Sequence, residues 1–151
     1  MNKDQLRKEL AEDEGCKYEI YLDHLGLPTY GIGHLVVEDD PEYGQPVGTP
    51  VSEERVRQVF SLDIASTLDE CQVLYPDFDD LPEDCQLIIA NMMFNMGRPR
   101  LSKFKGMKAG VDARDWNRAA DEMVDSRWYS QVPNRAIRLV DRMRALSEAE
   151  V

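Results

Sequence analysis

Histidine is almost missing from this chain: His24 and His34 are the only two. Cysteine is scarce as well, with Cys16, Cys71 and Cys85. Three thiols cannot close into a full disulfide framework, and their spacing with two histidines does not resemble a zinc site. The thiols therefore read as free and buried, with a Cys71–Cys85 pair as the alternative, and neither metal nor other cofactor is expected. Long apolar runs are missing too. None approaches the ~20 residues of a membrane span, which argues against membrane insertion. The N-terminus is a charged amphipathic pattern and not a signal peptide. No low-complexity tract and no repeat at solenoid period appears, so 151 residues imply one domain with a real core. Positive charge is thin over most of the chain. Residues 1–97 hold 6 Lys/Arg against 21 Asp/Glu, whereas residues 98–145 hold 12 against 6. A net charge of −11 makes nucleic acid a poor partner. The basic C-terminal part is either a face for an anionic polymer or a contribution to solubility.

What is present concentrates near the N-terminus. Leu6 and Leu10 set helical spacing over about 3–13, and Gly15 after Glu14 is a stop signal. Tyr18, Ile20 and Leu22 alternate with Glu19 and Tyr21 at strand period, predicting a strand near 17–23. Gly26-Leu27-Pro28 reads as a turn. Thr29-Tyr30-Gly31-Ile32-Gly33 returns as a second strand near 28–32, followed by a third near 34–37. A helix end and a hairpin thus bring Glu14, Asp23 and Thr29 into one neighbourhood. Two carboxyl groups suit glycoside hydrolysis, where one protonates the leaving oxygen and the other activates water or attacks the sugar. Partial desolvation at a helix end would keep Glu14 protonated, while Asp23 would sit wetter and ionised. Two acids nine residues apart also arise by chance in a chain this acidic, and surface carboxylates are the competing reading.

The order of motifs is more specific. Asp13-Glu14-Gly15, Ile20-Tyr21-Leu22-Asp23 and Thr29-Tyr30-Gly31-Ile32-Gly33-His34-Leu35 closely resemble the lysozymes of T-even bacteriophages, glycoside hydrolase family 24. A second signature, Ser126-Arg127-Trp128-Tyr129-Ser130-Gln131-Val132-Pro133-Asn134-Arg135-Ala136, resembles the same family, as does Asn91-Met92-Met93-Phe94-Asn95-Met96-Gly97. The resemblance runs from about Leu6 to Arg144. It implies Glu14 as general acid, with Asp23 and Thr29 positioning the water. It implies a His34–Asp63 ion pair and an Arg135 that pairs with the catalytic Glu. Its sugar-contacting positions fall on Leu35 and Phe94, which match, and on Met107 and Glu122, which depart from the small polar residues expected.

Between the motifs the chain reads coarsely. Residues 38–50 are a charged loop rich in Pro and Gly. Ser52 caps a long helix to about Leu74, with acids in its first turn. Pro82 opens a helix that is apolar nearly all round from Cys85 to Met96, and such a helix is buried. Residues 99–112 read as short helical pieces broken by Gly106 and Gly110, a further helix runs from Asp115 to about Val124, and Pro133 starts the last one.

The expected fold is α+β, mainly helical and lysozyme-like in two lobes: a sheet lobe over about 14–51, a connecting helix over about 52–74, and a helical lobe over about 75–151 plus 1–13. A cleft is expected between the lobes. The expected reaction is hydrolysis of the β-1,4 bond between N-acetylmuramic acid and N-acetylglucosamine in peptidoglycan. The family implies inversion, for which the two carboxyl groups usually lie ~6.5–9.5 Å apart. The expected setting is a monomeric phage endolysin, held in the host cytoplasm until a holin opens a route to the wall. A tail or baseplate lysozyme in the virion is the alternative. A wall-binding module without catalysis is the reading from a different class.

Overall fold

A computed structural model of the chain describes residues 1–149. Among them, eight α-helices and one three-stranded antiparallel sheet account for the regular structure, and no helix is long and apolar enough to cross a membrane. The chain divides into two compact units. One is Lys3–Ser66. The other joins Met1–Asn2 to the chain from Thr67 onward.

The first unit begins with α1 (Lys3–Glu14). Leu6 and Leu10, one turn apart, are its fully buried positions. The helix is tied to a later one in the same unit, where Arg7 donates to the Ser61 hydroxyl at 3.0 Å and stacks 5.2 Å from the centre of the Phe60 ring. The helix α1 and the sheet thus lie in one compact unit. Gly15 ends α1 with φ +71°, its N–H bonded to the Ala11 carbonyl. This left-handed cap is the stop expected of glycine.

The sheet follows as β1 (Lys17–Leu22), β2 (Pro28–Gly31) and β3 (His34–Leu35), in that spatial order. The pairing sets Tyr21 opposite Thr29 and Thr29 opposite Leu35, and Tyr30 opposite His34. The register of β1 against β2 shifts between Lys17 and Tyr21. Ile20 and Tyr30 point to the other face and join Val51, Val56 and Val59 in the unit's core. Gly31 is forced there: a Cβ would stand 3.0 Å from a Val56 methyl. The third strand is shorter than the 34–37 predicted, because the chain leaves the sheet after Leu35. Residues 38–50 have no regular structure apart from one bridge, Pro50 to Glu19.

Helix α2 (Glu53–Leu74) runs the length predicted, and its first part supplies Val56, Val59, Phe60 and Ile64 as buried positions. In the second unit a 3-10 turn (Phe78–Asp80) leads to α3 (Glu83–Met96). Its residues Cys85 to Met93 are all buried, which the all-round apolar pattern required. The polar exceptions are satisfied. Gln86 donates to the carbonyls of Asp79 and Leu81, and Asn91 accepts from Arg135. Cys71 and Cys85 are free and buried, and burial pushes both thiols up to about 12. Cys16 is free and exposed.

After α4 (Arg98–Leu101) comes α5 (Lys105–Asp112), and here the reading needs correcting. Gly106 and Gly110 do not break the segment; both lie inside one helix. Close approach explains them. A Cβ on Gly110 would stand 2.6 Å from the Ala119 backbone nitrogen, and one on Gly106 would collide with the Glu122 carboxyl. The glycines let α5 lie against α6 (Trp116–Val124). Asp115 caps α6 by accepting from the Arg118 N–H, and Ser126 caps α7 (Arg127–Gln131) in the same way through Tyr129. Pro133 opens α8 (Pro133–Ala149), which buries Ala136, Leu139, Val140 and Met143.

Candidate active site

The first unit alone carries the three residues expected to do chemistry. Glu14 is the last residue of α1, half-buried, with its side chain laid against Gly33 in the β2–β3 turn. A Cβ at Gly33 would stand 3.0 Å from the Glu14 carboxyl carbon and 3.2 Å from Oε1. Gly33 also holds φ +65°, in the left-handed region. The glycine both allows the turn and leaves room for the acid.

Asp23 follows the last residue of β1 and organises the hairpin turn. Its Oδ1 accepts from the N–H groups of Leu25 and Leu27, both at 2.9 Å. Its own N–H donates to the Leu27 carbonyl. Such a turn fixes the carboxylate without using it up. Oδ1 is committed to the backbone, and Oδ2 has no protein donor among the described residues. Thr29 is 4 % exposed in mid-sheet, and its hydroxyl donates to the Leu27 carbonyl at 3.0 Å. With its proton placed there, the oxygen keeps lone pairs to accept from a ligand. The turn that orients Asp23 therefore also orients Thr29.

Cross-strand partners share a face, so the register lines up Tyr21, Thr29 and Leu35 across all three strands, with Asp23 two residues past Tyr21 on the same side. Glu14 and Asp23 both act on the Tyr21 phenol. Burial first, and then these two carboxylates, raise its pKa above the ordinary value. Leu35, the predicted sugar contact in this unit, is 44 % exposed at the edge of that row.

Behind the sheet, His34 is held at both ring nitrogens. Nδ1 lies 2.7 Å from Asp63 on α2, as expected, and Nε2 lies 2.8 Å from Asp40. Burial alone would lower the imidazole's pKa, but hydrogen bonds to Asp63 and Asp40 outweigh it and raise the value. Asp40 also accepts from the Val37 N–H and lies 3.8 Å from Arg55. Arg55 pairs with Glu42, and Glu42 accepts from the Tyr30 hydroxyl at 2.9 Å. Burial of Asp40 and Glu42 opposes their charge, yet these donors leave both carboxyls below their ordinary range. Asp40, Glu42 and Arg55 were not singled out by sequence. Nothing in a charged loop marks which of its acids turns inward.

The second unit holds the remaining predicted residues. Phe94 is half-buried on α3. Arg135 is 7 % exposed, its Nε donating to Asn91 Oδ1 at 2.7 Å. Glu122 and Met107 both line a pocket of about 160 Å³, with Lys103 and Lys105 at its margin. Met107 is fully buried, so it belongs to the floor and the core and offers no surface for a sugar. Glu122 is exposed. A neighbouring pocket of about 390 Å³ is lined by Arg100, Lys103 and Arg127 with Phe104 and Trp128, and contains no carboxylate. The two rings meet edge to face at 6.3 Å, and Trp128 donates to Asn95 at 2.9 Å.

Known proteins resemble this chain in sequence. The chain is 29 % identical over 148 residues to the pre-baseplate central spike protein Gp5 of Enterobacteria phage T4, spanning 86 % of the chain but 26 % of that protein. It is 29 % identical over 154 residues to a probable T4-type lysozyme 2 of Dictyostelium discoideum, covering 89 % of the chain and 91 % of the relative. It is 32 % identical over 139 residues to peptidoglycan hydrolase gp36 of Pseudomonas phage phiKMV, of which it spans only 15 %. The phage lysozyme family model matches residues 11–145, from just before Glu14 to beyond Arg135, and the chain belongs to that family.

Proposed function

We propose that the chain is a muramidase acting on peptidoglycan, cleaving the β-1,4 bond between N-acetylmuramic acid and N-acetylglucosamine. The observation that carries this is the pair of carboxyl groups within the first unit, one seated on Gly33 and one fixed by a turn with an oxygen to spare. Glu14 protonates the glycosidic oxygen as the bond breaks. A water donates one hydrogen to Asp23 Oδ2 and the other to Thr29 Oγ1. Both hydrogens are then occupied, and a lone pair faces the anomeric carbon. Attack from the face opposite Glu14 inverts the configuration, and Asp23 Oδ2 takes the proton that the water loses. The Thr29 proton, donated to Leu27, is what makes that hydroxyl an acceptor in this scheme. Proton transfer and charge stabilisation suffice, so the residues need no cofactor. Leu35 and Phe94 are proposed as sugar contacts, Glu122 as a polar one at the pocket rim, and Arg135 as support for Glu14. The carboxylate-free pocket at Arg100 and Arg127 suits acidic groups of the wall peptide.

The test is release of reducing ends from purified peptidoglycan by wild type, Glu14→Gln and Asp23→Asn, with the product anomer read by NMR. Activity should fall at least about 100-fold in Glu14→Gln, the usual worth of a general acid. Equal activity in wild type and Glu14→Gln sinks the assignment; binding without turnover in wild type moves the chain to the wall-binding class. The role we favour is a free, monomeric endolysin released through a holin-dependent route; the resemblance to a probable T4-type lysozyme supports its lysozyme part. A virion-borne lysozyme is the second reading, favoured by the match to part of a baseplate spike protein. Fractionation of lysates into virions and free protein separates them.

A further inference from the structure

Tyr21 is used by neither the fold's core nor the chemistry above, yet it stands at the centre of the candidate site. Its strand position is opposite Thr29 and two residues before Asp23, on the face those residues share. The strand register shifts between Lys17 and Tyr21, so the pairing that sets Tyr21 opposite Thr29 begins anew at this point. Lys17 covers the ring from one side, its Nζ 4.3 Å from the ring centre, and this contact restricts the ring's rotation. The ring is half-buried, and its hydroxyl makes no hydrogen bond among the described residues. A tyrosine hydroxyl in a part-buried setting usually finds a partner. Burial and the Glu14 and Asp23 carboxylates keep it protonated, so it is a donor wherever the enzyme works.

We propose that Tyr21 is a substrate-contacting residue, whose hydroxyl donates to the acetamido carbonyl oxygen of the sugar held between Glu14 and Asp23. The choice of acceptor follows from the chemistry. The glycosidic oxygen is taken by Glu14. The ring oxygen must feed its lone pair into the oxocarbenium-like transition state, so a donor there would slow the reaction. An exocyclic oxygen is left, and on an N-acetylated sugar the amide carbonyl is the strongest neutral acceptor. The inference rests on the muramidase reading and adds specificity for N-acetylated glycan to it.

The experiment is steady-state kinetics on peptide-free N-acetylated glycan strands with wild type, Tyr21→Phe and Glu14→Gln, alongside thermal unfolding of each. Removing one neutral hydrogen bond should raise KM about fivefold to tenfold. The contact is made in ground and transition states alike, so kcat should stay within about twofold. The unfolding midpoint should not move, because the hydroxyl makes no hydrogen bond among the described residues. An unchanged KM in Tyr21→Phe overturns the proposal, and so does a joint fall in kcat and unfolding midpoint, which marks a structural hydroxyl. Those results with an active wild type and an inactive Glu14→Gln overturn this inference alone. A wild type that cleaves nothing overturns the muramidase reading and this one together.

Discussion

Single residues decide whether the candidate acid is in place. Gly33 is the sharpest case, because two independent demands meet there. Its φ of +65° disfavours any L side chain, and a Cβ would press on the Glu14 carboxyl at 3.0 Å. Gly33→Ala should cost about 1–2 kcal/mol of stability for the left-handed backbone. It should lower kcat more than that strain alone explains, since Glu14 must shift by a few tenths of an ångström. Denaturant melts and turnover measured on the same variant separate the two effects; full activity at reduced stability would show that Glu14 tolerates the push. Glu14, Gly15, Asp23 and Thr29 were legible in the sequence because motif order and turn chemistry mark them. Gly33 was legible as a glycine, but its contact with Glu14 was not. That contact joins a helix end to a turn some twenty residues away, and no local pattern encodes it.

At the scale of elements, two arrangements carry predictions. The 38–50 loop is strapped to the sheet and to α2 by the chain of pairs Asp63–His34–Asp40–Arg55–Glu42–Tyr30. The signs of its pH dependence follow from the shifts. His34 has a raised pKa in the fold, so its contribution is full below about 6.5, its ordinary value, and is lost as pH rises through the higher folded value. Asp40 and Glu42 have lowered values, so their contributions are present above about 4 and are lost as pH falls through the lower folded values. Stability should therefore be greatest from about pH 5 to 6.5. Asp40→Asn should cost about 1–3 kcal/mol there, the worth of a charge-assisted bond. It should also flatten the alkaline limb, as His34 loses one of its two carboxylates. Unfolding midpoints against pH for both proteins check this; parallel curves would show that Asp40 does not couple to His34. The second arrangement is the α5–α6 contact. Gly110→Ala puts a methyl 2.6 Å from the Ala119 backbone nitrogen, and backbone cannot swing aside. Loss of about 1–3 kcal/mol is expected, as for other overpacked sites, and calorimetry reads it. The two glycines looked like helix breakers because local propensity says so. Packing overrode propensity once a neighbouring helix needed the space.

For the molecule as a whole, charge is the property that reaches furthest. The chain carries −11 overall, with its basic residues gathered after residue 97. Anionic wall polymer should be repelled at low ionic strength, and kcat/KM on whole peptidoglycan should rise severalfold between about 10 mM and 150 mM salt as the Debye length falls from about 30 to 8 Å. A steady fall over the same range would mean that the basic pocket at Arg100, Lys103 and Arg127 dominates the encounter.

The sequence by itself determined the family, the helical and strand periods and the helix stop at Gly15, and it singled out the acid pair proposed for the chemistry. Those are local signals: apolar spacing, turn residues and short motifs, each readable within about ten positions. Tertiary structure alone decided which loop acid takes the second nitrogen of His34, why Gly106 and Gly110 sit inside a helix, that Met107 lies in the core, and that Tyr21 pairs across the sheet with Thr29. Each depends on groups far apart in the chain meeting at a few ångströms. Close packing and charge pairing enforce such meetings only after the backbone is folded.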